Sequence, residues 1–80
     1  MKNIENKLFP LLVKIGIDDR MIPQEAYLME DVGIKRQELA WLLFRLEIDF
    51  GIEVPVKNWQ KGLSLRKIKN FLSEKYHSIN

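Results

Sequence analysis

One leucine-rich stripe constrains the fold of this chain more than any other feature. At about 100° per residue, a helix over 36–50 brings five large apolar side chains to one side. These are Leu39, Leu42, Leu43, Leu46 and Phe50. Gly51 follows directly and is expected to end the helix, because glycine readily takes the left-handed conformation after a helix. The sequence therefore predicts a central helix with one strongly apolar face.

Two further helices are predicted, one before and one after the central helix in the chain. The first spans 3–15, with Ile4, Leu8, Leu11, Leu12 and Ile15 at helical spacing and Gly16 as its C-cap. Pro10 predicts that this helix either kinks or properly begins near Phe9. The last helix begins after Ser64, a good N-cap residue. Its apolar stripe is Leu65, Ile68, Leu72, Tyr76 and in part Phe71.

The connections carry apolar residues but no helical period. Residues 17–36 form a connection of about 20 residues, which is long enough to require anchoring to the core. The expected anchors are Ile22, Leu28, Met29, Val32 and Ile34. Residues 56–61 are expected to make one short helical turn around Trp59. With no strand pattern, the predicted architecture is a small all-α bundle of three main helices and a short one, in a single domain over 1–80.

The composition narrows the class of function. The 80 residues include no cysteine and a single histidine, His77, which excludes disulfides, thiolate catalysis and a histidine cluster for a metal. No apolar run is long enough to span a membrane, and a cytoplasmic location is expected. The acidic pairs at 18–19 and 30–31 are expected to cap turns rather than to bind a cation. No residue pattern supports catalysis, so a non-enzymatic binding, carrier or regulatory domain is predicted.

The charge is unevenly distributed along the chain. Residues 18–53 carry nine acidic and four basic side chains, whereas residues 54–80 carry six basic side chains and one acidic one. A basic last helix is either a solvated face or an electrostatic surface for nucleic acid. The acidic middle of the chain would repel phosphate, so nucleic-acid binding is the weakest of the functional hypotheses.

Two sequence phrases resemble the acyl carrier protein family. That family typically shows an E-D-L-G run before its second helix and closes this helix with a phrase like L-E-E-E-F-G-I-E-I-P. Here E-D-V-G-I stands at 30–34 and L-E-I-D-F-G-I-E-V-P at 46–55, at the family's separation. The resemblance covers essentially the whole chain. It implies a small helical carrier-type bundle whose second helix is recognised by partner enzymes.

The resemblance breaks at the residue that carries the family's prosthetic group. Between the two phrases the family has Asp-Ser-Leu, and 4′-phosphopantetheine is esterified to that serine. The matching positions here are Lys35, Arg36 and Gln37. Arginine has no hydroxyl to esterify, so the resemblance implies a carrier-type fold without phosphopantetheine or any other cofactor.

The side of the central helix opposite the leucines is also apolar. Gln37, Trp41, Phe44 and Ile48 lie there, although the family's second helix is rich in acidic residues on this side. One interpretation is that residues 17–36 fold over Trp41 or Phe44; the other is a hydrophobic docking surface anchored by Trp41. Flanking cations would favour an acidic partner. The predicted partner site comprises Lys35, Arg36, Gln37, Trp41, Phe44, Arg45 and Ile48.

The leading functional hypothesis is a non-catalytic interaction module of fatty-acid or polyketide-type biosynthesis. Its partner would be a synthase or an acyl-transfer enzyme, and self-association through the same helix is an open possibility. The alternative is an atypical carrier that is modified at another residue or holds a lipid without a covalent bond.

Overall fold

The computed structural model describes residues 2–59 and 61–77 of the chain. Three α-helices account for most of this part: α1 (Lys2–Lys14), α2 (Arg36–Phe50) and α3 (Leu65–His77). Two short 3₁₀-helices lie at Asp19–Met21 and Val56–Trp59. Within the described ranges the only β-type pairing is an isolated bridge between Tyr27 and Ser64. The predicted small all-α bundle is confirmed.

Helix α1 runs without interruption through Pro10, so the alternative that it properly begins near Phe9 is wrong. A proline inside a helix removes one backbone hydrogen bond and crowds the preceding turn. Ile4 and Leu8, which precede the proline, are both buried in the common core. Their burial offsets the cost of the proline and keeps the first two turns of the helix folded.

Gly16 ends α1 in the manner predicted. Its φ of 83° is in the left-handed region, and its amide donates to the Val13 carbonyl at 3.0 Å. The Ile17 amide donates to the Leu12 carbonyl at 2.9 Å. These two bonds satisfy carbonyls that a helix otherwise leaves unpaired at its end.

Helix α2 has the bounds that the sequence predicts. At its start, the Glu38 carboxylate accepts a hydrogen bond from the Lys35 amide at 2.9 Å. At its end, Gly51 has φ 63° and its amide donates to the Glu47 carbonyl. The five residues of the leucine stripe are all buried. They pack with the apolar stripes of the other helices into one continuous core.

The last helix is also capped as predicted. The Ser64 hydroxyl accepts from the Lys67 amide at 3.2 Å. Of the predicted α3 stripe, Leu65, Ile68 and Leu72 are fully buried and Phe71 is half-buried. The side chain of Tyr76 lies outside the described part of the chain. Just before α3, the short helical turn buries Trp59, whose ring meets that of Phe71 edge-on at 4.8 Å.

The long connection between α1 and α2 is held against the start of α3. The Leu28 amide donates to the Leu63 carbonyl at 2.8 Å, and the Arg66 amide donates to the Gln24 carbonyl at 3.0 Å. The predicted anchors are confirmed, because Leu28 and Ile34 are buried and the other three pack against the core. The 3₁₀-helix at Asp19–Met21 was not predicted. Its N-cap, Asp18, accepts from the Arg20 amide.

Candidate functional site

The outer face of α2 is exposed and apolar. The exposed fractions are 36% for Trp41, 59% for Phe44 and 53% for Ile48. Ala40 and Gln37 are exposed beside them. The exposure that the docking-surface interpretation requires is confirmed. One helix cannot turn both of its apolar faces toward one core, and no other element of the described residues buries Phe44 or Ile48.

The connection 17–36 does not fold over this surface as the alternative interpretation proposed. Its backbone hydrogen bonds run to Leu63 and Arg66, near the start of α3. Trp41 instead lies in a shallow groove of about 430 Å³ beside the end of α1, where Lys14 and Ile15 form the other wall. The tryptophan is therefore partly supported by its own chain and partly open to a partner.

The positions that match the family's Asp-Ser-Leu all lie at the start of α2. Lys35 is the N-cap residue, and Arg36 and Gln37 are the first two residues of the helix. All three are exposed. Two cations at a helix N-terminus face the positive end of the helix dipole, which is unfavourable. Neither cation forms an ion pair with any residue that the structure describes.

Arg45 differs from the other two predicted cations of the site. Its guanidinium forms a salt bridge with Asp49 at 3.0 Å, one turn further along α2. Its Nε atom is buried and finds no acceptor among the described residues. The charge of Arg45 is therefore compensated within α2, and Lys35 and Arg36 are the two predicted site cations that remain available to a partner.

A small apolar cleft opens beside the first turns of α2. It measures about 190 Å³, and its lining comprises Met29, Arg36, Leu39, Ala40, Leu43 and Val56. Typical small-molecule pockets measure roughly 300–1,000 Å³. The cleft is therefore too small for a drug-sized ligand but has an apolar floor and one cation at its rim.

The acidic pairs serve the fold. Asp19 accepts hydrogen bonds from the Lys69 ammonium and from the Gln24 amide, both at 2.7 Å. Burial by itself would raise the pKa of Asp19, but these two hydrogen bonds outweigh it and hold the pKa below its ordinary value. The Glu30 carboxylate accepts a hydrogen bond from the Gly62 backbone amide, and the Asp31 carboxylate accepts one from the Tyr27 backbone amide. In the described ranges, no group of three or more metal-ligating side chains forms.

Part of the basic charge of α3 is used within the chain. Arg66 forms a salt bridge with Glu25 at 3.2 Å, and Lys69 pairs with Asp19. None of the helices in the described part is long and apolar enough to cross a membrane.

Sequence reasoning missed one feature of the candidate site. Ala40 is exposed beside the apolar stripe, and its small side chain leaves room for close approach of another helix. The signal was present in the sequence, since Ala40 precedes Phe44 by one helical turn.

Comparison with known proteins supports the resemblance. The chain is 27% identical to an acyl carrier protein of Thermotoga maritima over 62 residues, which cover 78% of this chain and 76% of the relative. It is 26% identical over 74 residues to acyl carrier proteins of Nitratidesulfovibrio vulgaris strains DP4 and Hildenborough, covering 91% of this chain and 97% of each relative. No family model matches the sequence, and no solved structure matches it. Over most of its length this chain is thus similar in sequence to acyl carrier proteins, and its small three-helix bundle is consistent with that similarity.

Proposed function

We propose that this protein is a non-catalytic carrier-like docking module that bears no phosphopantetheine. In this proposal it binds a partner protein through the outer face of α2, in biosynthesis of the fatty-acid or polyketide type. The observation that carries the proposal is the exposed stripe of Trp41, Phe44 and Ile48. Arg36, which stands where the resemblance places the acceptor serine, lies at the head of the same helix.

The chemistry of phosphopantetheine attachment supports the first half of the proposal. The transfer forms a phosphate ester with a side-chain hydroxyl, and an arginine offers no such oxygen. The neighbours at 35 and 37 are a lysine and a glutamine, so no hydroxyl stands within one residue of the position. This supports the proposal that the chain has no attachment serine at the position where the resemblance expects one.

The apolar surface supports the second half. Burial of large apolar side chains that are exposed to water favours binding, and tryptophan is strongly enriched among residues that dominate binding energy. Trp41 is only partly exposed, because it lines a groove together with Ile15 of the segment that follows α1. The proposed partner is a synthase or an acyl-transfer enzyme, a class taken from the resemblance to acyl carrier proteins.

Intact-mass measurement tests the missing attachment site. The protein is incubated with coenzyme A and a broad-specificity phosphopantetheinyl transferase, and its mass is expected to stay unchanged. A positive control is the triple variant Lys35→Asp, Arg36→Ser and Gln37→Leu, which restores the family's acceptor triplet. A mass gain of one phosphopantetheine on the unaltered chain would refute this half of the proposal, whichever residue carried it.

Affinity capture tests the docking surface. The protein and its Trp41→Ala variant are compared as baits for the synthases and acyl-transfer enzymes of the same cell. Loss of a hot-spot tryptophan is expected to weaken capture by about 30-fold, equivalent to about 2 kcal/mol. Equal capture by both baits would show that the outer face of α2 is not the docking surface.

A second candidate function rests on the apolar cleft beside α2. A chain that holds a short lipid without a covalent bond would place the lipid tail against Leu39 and Leu43, with Arg36 near an anionic head group. Thermal unfolding with and without a short-chain fatty acid tests this alternative. An increase in Tm that disappears in the Leu43→Trp variant, which fills the cleft, would favour it over the docking module.

A further inference from the structure

We propose that the apolar cleft beside the start of α2 binds one apolar side chain of a partner protein, with a carboxylate of the same partner segment paired to Arg36. The inference rests on the proposed docking function and names the chemistry of the partner segment. It concerns a different flank of α2 from that of Trp41, because the residues of this helix that line the cleft are Arg36, Leu39, Ala40 and Leu43.

The cleft has room for a single side chain. It measures about 190 Å³, and a protein cavity of about 150 Å³ holds one benzene ring. Pockets for small-molecule ligands are usually larger, at roughly 300–1,000 Å³. The cleft therefore accommodates one leucine, isoleucine or phenylalanine side chain, whereas a long acyl chain would extend beyond it.

The lining of the cleft is apolar and comes from three segments of the chain. Leu39 and Leu43 of α2 are buried and form its floor, whereas Val56 is 39% exposed. Met29, on the connection between α1 and α2, is half-buried. The Val56 amide donates to the Val54 carbonyl at 2.8 Å, which holds this wall in place. A side chain that enters the cleft meets a preformed apolar surface, so little ordering of the protein opposes its binding.

The rim of the cleft attracts a negative charge. Of the described residues that line the cleft, only Arg36 is charged. Its side chain is exposed and forms no ion pair with a described residue. The acidic residue of the same helical turn, Glu38, accepts a hydrogen bond from the Lys35 backbone amide at 2.9 Å. Because a guanidinium can hold a carboxylate through two parallel hydrogen bonds, the complement of this rim is a carboxylate.

The cleft continues into the exposed face of α2. Ala40 is exposed and lines the cleft, and Phe44 follows it one helical turn later on the exposed face. Only a ligand larger than the cleft, such as a protein segment, can contact both at once. This continuity favours a partner side chain over a free small molecule as the occupant of the cleft.

Methyl NMR titration tests the chemistry of the occupant on the full chain. The probe is the blocked dipeptide acetyl-Leu-Asp-amide, which is expected to shift the methyl signals of Leu39, Leu43 and Val56 in a saturable way. Replacement of its leucine by alanine is expected to weaken binding about tenfold, since most of the buried apolar area is lost. Replacement of its aspartate by asparagine is expected to weaken binding about threefold, since an exposed ion pair contributes little.

Variants of the protein locate the site. Ala40→Phe places a ring at the mouth of the cleft and is expected to abolish the shifts. The matched control Asn70→Phe adds the same ring at an exposed position of α3 and is expected to bind the dipeptide as the unaltered protein does. Arg36→Gln is expected to remove the preference for aspartate over asparagine. Lys67→Gln, which removes an exposed cation of α3, is expected to keep this preference. Circular dichroism confirms that each variant is folded.

Four results would each overturn the proposal. These are the absence of saturable shifts up to the solubility limit of the dipeptide, equal binding of the leucine and alanine probes, an unchanged aspartate preference in Arg36→Gln, and tighter binding of decanoate than of the dipeptide at the same methyl signals. The last result would assign the cleft to a lipid.

The outcomes also separate this inference from the proposed function. A chain that captures a synthase through Trp41 but whose cleft binds no dipeptide would refute this inference alone. A chain whose cleft binds the dipeptide as expected but that accepts phosphopantetheine would refute the proposed function alone.

Discussion

The two faces of α2 have similar composition and opposite environments. Leu42 and Leu46 on the inner face are fully buried, whereas Phe44 and Ile48 on the outer face are each more than half exposed. Both faces belong to one rigid helix, so they cannot be stabilised by the same core. The difference shows that only one of the two apolar faces contributes to the core, and recognition by the other face is what we propose.

The course of the connection between α1 and α2 explains why the outer face of α2 is exposed. The connection contributes Leu28 and Ile34 to the core and then bonds to the start of α3, leaving the outer face of α2 uncovered. No other element in the described part of the chain buries Phe44 or Ile48. The uncovered face is thus a consequence of where this one connection lies.

The largest effect should come from truncation on the inner face. Leu42→Ala is expected to lower the free energy of unfolding by about 2–5 kcal/mol, because it removes a fully buried side chain and leaves a cavity. Phe44→Ala, a larger truncation on the outer face, is expected to cost less than about 1 kcal/mol. Urea denaturation at low protein concentration measures both. Equal losses of unfolding free energy in the two variants would contradict the distinction between a buried inner face and an exposed outer face.

Breaking the ion pair between Lys69 and Asp19 is expected to reduce stability without altering either face of α2. Both side chains are more than four-fifths buried, so Lys69→Met is expected to cost about 1–3 kcal/mol at neutral pH. Partner binding and self-association are expected to remain unchanged when the variant is studied well below its Tm. A change in association would mean that the outer face responds to stability alone.

The same ion pair predicts a pH dependence. The pKa of Asp19 is lowered in the folded state, so its carboxylate stabilises the fold at pH values above its ordinary pKa of 3.8. This stabilisation is lost as the pH falls from 3.8 through the lower folded value. The stability difference between the unaltered protein and Lys69→Met should therefore shrink below pH 3.8, as measured by thermal unfolding at a series of pH values. A difference that stays constant down to pH 2 would contradict it.

Substitution of Gly51 tests the contribution of the left-handed turn that ends α2. Its φ of 63° is in the left-handed region, and an added Cβ would meet no atom within 4 Å. Gly51→Ala is therefore expected to cost only the conformational strain, about 1 kcal/mol. Gly33, also at positive φ with open space around it, is the matched control outside α2. A loss of several kcal/mol at Gly51 alone would show that the turn does more than end the helix.

The smallest expected effect is the binding of nucleic acid by α3. Because Arg66 and Lys69 are paired with acidic side chains, duplex DNA at physiological salt should bind too weakly to measure by fluorescence anisotropy. Tight binding with a steep salt dependence would instead assign recognition to α3. The functional comparison would then be between α3 and α2 rather than between the two faces of α2.

Much of the fold was predictable because its signals are local. The bounds of α2, the Gly16 and Gly51 helix ends and the Ser64 cap all follow from spacing and from the preferences of single residues. The course of α1 through Pro10 was not predictable in this way. The penalty of a proline is local, but its compensation by Ile4 and Leu8 depends on packing against the other helices.

The sequence by itself determined that α2 has two apolar stripes, and its resemblance to acyl carrier proteins predicted that Arg36 stands at the position of their serine. Only the tertiary structure decided that the connection 17–36 leaves the second stripe exposed and which charges are available. Helical spacing gives the angle between two stripes, but their burial depends on where distant segments pack. The pairing of Arg45 with Asp49 and of Lys69 with Asp19 likewise depends on side-chain geometry. These contacts leave Lys35 and Arg36 as the exposed cations of the candidate site, because residues that form an ion pair within the chain are no longer available to a partner.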